Sequence, residues 1–155
     1  MAPVWAAWAV NVSTSVLWTT VLSTIGLMTL GALEARSAFQ PVNAISHMLF
    51  GDGPIVSKGP VPRFFVSGFL LNVAALAAWA LVAEGLYRLL GDRPGEPFQA
   101  TVVSVAVTLL AMVVDFHVVP KRLTPGFERV LSRRSLTTVY VLLACGFFLA
   151  GLQRV

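Results

Sequence analysis

Residues 64–83 read FFVSGFLLNVAALAAWALVA, an unbroken run without one charged side chain. A helix rises about 1.5 Å per residue, so about 20 apolar residues cross the hydrocarbon core of a bilayer. Residues 1–33, 97–114 and 135–153 are equally free of Asp, Glu, Lys and Arg. In lipid a backbone must satisfy its own hydrogen bonds, which at this hydropathy leaves helices as the spanning element. The pattern predicts an all-α fold, an integral membrane four-helix transmembrane bundle. Residues 1–155 form a single transmembrane domain with spans at about 8–33, 64–88, 98–119 and 135–153.

Composition agrees. Hydrophobic residues make up 57% of the chain and charged residues 12%, well below the roughly 25% of a soluble domain. Four spans use most of the 155 residues, so any chemistry is expected within the bundle or its short loops. The lone cysteine, Cys145, falls inside the fourth span, where it is expected to pack as a small apolar residue. Met1 to Val10 lacks the basic residues of a signal peptide, so the first segment is expected to be retained.

Orientation follows from the basic residues. Four spans put residues 34–63 and 115–134 on one side, with Arg36, Lys58, Arg63, Lys121, Arg122, Arg129, Arg133 and Arg134. The other side receives Arg88, Arg93 and Arg154. Eight against three predicts both termini periplasmic and the two larger loops cytoplasmic. The net charge of +4 is thus a topology signal, and no nucleic-acid partner is expected, because the basic residues flank spans.

The first span carries Asn11, Ser15, Thr19 and Ser23 at four-residue intervals, which puts them on one helix face. In the third, Thr101, Ser104, Thr108, Ala111 and Asp115 share a face in the same way. Hydroxyl and amide stripes gain partners against other helices, so helix packing is the leading reading and a hydrated pathway ending near Glu34 the alternative. Ala74, Ala78, Gly146 and Ala150 provide small residues for close backbone approach. Glu84 and Arg88, four apart, read as a helix-surface pair.

Both cytoplasmic loops are expected to hold a short helix. In residues 40–52, Pro41 marks a start and Gly51 an end, with Val42, Ile45 and Leu49 on one side; this reads as interfacial or re-entrant. In the second loop Thr124 and Pro125 predict a helix from Phe127 to Ser135. Lys121, Arg122, Arg129, Arg133 and Arg134 there are expected to meet anionic lipid headgroups.

Glu34, Asn43, His47, Asp52, Asp115 and His117 form the candidate functional cluster, all on the cytoplasmic side. Asp115 is the oddest member, since a carboxylate at a helix C-terminus near hydrocarbon requires compensation. Lys121, Arg122, Arg36, a protonated His47 or His117, a cation or its own protonation are the candidates. His47, Asp115 and His117 are also conceivable metal ligands. Asp115 and His117 diverge by about 200° on a regular helix, however, so the spacing argues against a shared ion. No metal site and no cofactor is expected.

The segments Asn43-Ala44-Ile45-Ser46-His47, Gly51-Asp52 and Asp115-Phe116-His117-Val118-Val119-Pro120-Lys121-Arg122-Leu123-Thr124-Pro125-Gly126-Phe127-Glu128 resemble motifs of a group of small bacterial four-helix inner-membrane proteins. The resemblance extends over most of the chain. It implies a bacterial inner (plasma) membrane setting and no particular activity. On these grounds the leading expectation is a non-enzymatic structural or accessory membrane component, as a homo-oligomer or within a larger complex. A proton- or ion-coupled small transporter and a metal-dependent membrane enzyme are the alternatives.

Overall fold

The computed structural model describes residues 4–155, and every regular element among them is helical. Four helices are long and apolar enough to cross a membrane: Trp5–Ala35, Pro62–Leu89, Pro97–Val118 and Arg133–Leu152. The first consists of α1 (Val4–Leu30) and a π-helical turn over Gly31–Ala35. Three short helices follow: α2 (Gln40–Ile45), α3 (His47–Phe50) and α4 (Gly53–Val56). Next come α5 (Pro62–Leu89) and α6 (Pro97–Val113), the latter extended by a π-helical turn at Val114–Val118, and finally α7 (Arg133–Leu152).

The long helices form a ring in which α1 packs against α5 and α7, and α6 against α7 and α5. The α1–α7 seam is the most extensive and the α5–α6 seam the sparsest. Small residues account for the tight seam. A Cβ on Gly146 would come within 2.8 Å of the Thr19 Cα, so only glycine admits this approach. The stripe of α1 faces inward as its spacing requires, with Asn11, Ser15, Thr19 and Ser23 all buried. On α6, Ser104, Thr108 and Ala111 are likewise buried, while Thr101 is exposed.

Outside the ring the surface is apolar. At most 44% of the apolar window of any long helix is buried within the protein. Leu17, Ile25, Leu70, Leu81, Leu109 and Val141 point outward. A soluble protein rarely exposes so continuous an apolar belt.

The loops depart from expectation in two places. The helix expected over 40–52 divides at Ser46 into α2 and α3, and α2 is no surface helix, since Pro41 through Ile45 are all buried. It plugs the loop end of the bundle against α5, where Gly68 lets the Val42 carbonyl approach closely. The helix expected from Phe127 to Ser135 is only a 3-10 turn, Phe127–Arg129. Ser132, in an extended conformation, accepts a hydrogen bond from the Ser135 amide at 3.3 Å and caps α7. Arg133 and Arg134 therefore belong to the first turn of α7. Thr124, expected as an N-cap, instead places its hydroxyl 2.6 Å from Glu128 Oε1 and 3.0 Å from the Lys121 carbonyl.

Candidate functional site

Asp115 sits in the π-helical turn that ends the third long helix. Such turns insert a residue and re-aim side chains, and they recur at functional sites. Here the turn presents Asp115 to a cavity of about 110 Å³ among α1, α5, α6 and α7. The Tyr140 hydroxyl, on α7, donates to Asp115 Oδ2 at 2.7 Å. Farther along the wall, Asn72 Nδ2 donates to Ser23 Oγ at 3.3 Å. The remaining lining is apolar, with Leu27, Leu76, Phe127 and Leu143 among the buried residues.

Of the compensations expected for Asp115, none of the side-chain cations pairs with it among the described residues, and Arg36, Lys121, Arg122 and His117 are exposed. Its partner is a phenol from a helix the sequence did not connect with it. His117 is exposed and does not line Asp115's cavity.

The other members of the cluster fasten the loops. Glu34 Oε1 accepts from Ser132 Oγ and Ser135 Oγ, each at 2.7 Å, and Oε2 from the Ser132 amide at 2.8 Å, tying the end of the first long helix to the start of α7. Asn43 Nδ2 donates to the carbonyls of Ser57 and Gly59, at 3.1 and 2.9 Å. Asp52 pairs with Arg129 at 2.8 Å on the surface. His47 is buried, with Nδ1 at 2.9 Å from the Ala44 carbonyl. No hydrogen bond links it to Asp115. Gly126, at φ 86°, packs against that same carbonyl and imidazole; the positive φ and the lack of space both require glycine. Gln40 Oε1, Asn43 Oδ1, His47 Nε2 and Glu128 Oε2 are buried without a partner. Among the described residues, no three His, Cys, Asp or Glu side chains converge as a metal site requires.

Lys121, Arg122, Arg129, Arg133 and Arg134 are all exposed, at the same end of the bundle as Arg36, Lys58 and Arg63. The opposite end holds a network that sequence reasoning missed. Arg154, 8% exposed, donates to Glu84 at 2.6 Å and to Asp92 through two nitrogens at 2.8 and 3.2 Å. Its guanidinium also lies 3.9 Å from the Tyr87 ring centroid. Burial opposes its charge, but the two carboxylates outweigh it and raise its pKa above the ordinary arginine value. Glu84, read as part of a surface pair, is buried, and its contact with Arg88 is the longer one at 3.4 Å. The available signal was parity: four spans bring the ends of α5 and α7 to one side, where an acid inside a span needs a cation.

Comparison with protein-family models, with curated proteins and with solved structures finds no match to this chain.

Proposed function

We propose that the chain is a small multi-pass protein of a bacterial inner membrane, both termini periplasmic, acting without catalysis as a structural or accessory component. One observation carries this reading: Glu34, Asn43 and Asp52 are engaged in bonds that hold the chain's own loops together. Residues spent on internal fastening are poorly suited to turning over a substrate. The outward apolar belt supports insertion. The exposed Lys121, Arg122, Arg129, Arg133 and Arg134 support contact with anionic headgroups at the cytoplasmic face. An accessory role implies a homo-oligomer or a larger membrane complex. Chemical cross-linking in native membranes, followed by purification in mild detergent, tests it. A discrete stoichiometric assembly is expected, and a monomer under all conditions refutes it. For sidedness, a cysteine at Pro94, in a Cys145→Ser background, is expected to react with membrane-impermeant maleimide from the periplasm. Reaction from the cytosol alone reverses the topology.

A second reading, proton- or ion-coupled permeation, is favoured by the position of Asp115 on a cavity between spans. Against it, Asp115 stands near the loop end of its helix, whereas a coupling carboxylate is expected deeper in the membrane. Flux of protons or cations in proteoliposomes, abolished by Asp115→Asn, would favour it over the accessory role. A metal-dependent enzyme finds no support in the geometry around His47, Asp115 and His117.

A further inference from the structure

We propose that the cavity beneath the α2 plug is a binding site for a small lipophilic amine, its cationic head on Asp115 and its apolar body toward the α5–α6 seam. The polar equipment of the cavity is one-sided. Asp115 Oδ2 is occupied by the Tyr140 hydroxyl, and among the described residues Oδ1 accepts no hydrogen bond. On the adjoining turn Glu128 has a buried Oε2 without a partner, which adds to the negative potential. Neither acid is paired with Lys, Arg or His among the described residues. A carboxylate so placed takes an ammonium group by charge-assisted hydrogen bonding and repels anions.

The walls fit the rest of such a ligand. Trp79, Phe127 and Tyr140 surround a space of about 110 Å³, of the same order as the roughly 150 Å³ apolar cavity that admits benzene. Aromatic faces attract a cation as well as apolar surface. Access follows from the packing. Ala75 and Leu123 line the cavity yet are exposed, and Leu71 and Trp79 are partly so. These mark a mouth on the side of the α5–α6 seam, the sparsest of the four between the long helices. A ligand already partitioned into the acyl chains reaches the site laterally, and its head arrives at the membrane boundary where Asp115 lies. An ordinary lipid tail would fill the walls but leave the carboxylate unused. The site does not depend on whether the bundle acts alone or in a complex.

The full chain in nanodiscs of zwitterionic lipid is titrated calorimetrically with benzylamine and with its neutral counterpart benzyl alcohol, empty nanodiscs serving as the blank. One saturable benzylamine site is expected, with no saturable site for benzyl alcohol. Asp115→Asn is expected to weaken benzylamine by about tenfold or more. Ala75→Leu, which narrows the mouth and keeps Asp115, is expected to abolish binding without lowering the melting temperature, and it decides the matter if Asp115→Asn does not fold. Equal binding of both compounds, no saturable site, or wild-type affinity in either folded variant overturns the proposal.

Discussion

At the end of the bundle where α5 and α7 finish, Arg154 is enclosed by two carboxylates and an aromatic face. At the opposite end Asp115 has a tyrosine hydroxyl and, among the described residues, no ion pair. The first arrangement is closed, because each buried charge there finds its opposite within the chain. The second is held by inserted backbone and hydroxyl groups, with polar atoms left over at Gln40, Asn43, His47 and Glu128, against the Tyr87 hydroxyl alone beside Arg154. Buried polar groups without partners cost free energy. The contrast teaches that a helical bundle can concentrate its buried ion pairs at one end and leave the other chemically available.

The largest effect is expected at the closed end. Arg154→Ala leaves the buried Glu84 with only its 3.4 Å contact to the exposed Arg88 and should destabilise the bundle by about 3 kcal/mol, measured by unfolding in detergent micelles. An unchanged transition would mean that the ion pair does not close that end. Next comes Gly68→Ala, which drives a methyl group into the Val42 carbonyl. A loss of about 1–3 kcal/mol is expected, with faster proteolysis within residues 37–61; equal protease resistance would mean that α2 does not depend on this contact. Ser132→Ala removes the cap of α7 and a donor to Glu34, for about 1 kcal/mol, read as earlier hydrogen exchange in the first turn of α7. The smallest effect belongs to Asp52→Ala. Its pair with Arg129 is 2.8 Å long, like those of Arg154, but both side chains are open to solvent, so less than about 1 kcal/mol is at stake. Equal losses for Asp52→Ala and Arg154→Ala would erase the distinction between the two ends.

The four long apolar helices were legible because hydropathy and length act locally; their ends fall within about six residues of the uncharged runs. The inward stripe of α1 was legible for the same reason, since a period of about 3.6 is a property of one helix. What escaped depends on pairs distant in sequence. Tyr140 reads as one more apolar residue until α7 sets it beside Asp115. Arg154 reads as a flanking charge until its helix delivers it to Glu84. Gly68 reads as a generic small residue until Val42 presses against it. In the second loop, Thr124-Pro125 and Ser132 both carry capping chemistry, and only the path of the chain decides that Ser132 starts the helix.

The broad seam between α1 and α7 joins the first long helix of the described residues to the fourth. Until α7 emerges from the ribosome, Thr19 has no Gly146 to lie against, and the hydroxyl-bearing stripe of α1 lacks its main covering helix. Assembly of the four-helix bundle is thus a delayed-closure process, in which α1 reaches its final surroundings only when α7 arrives.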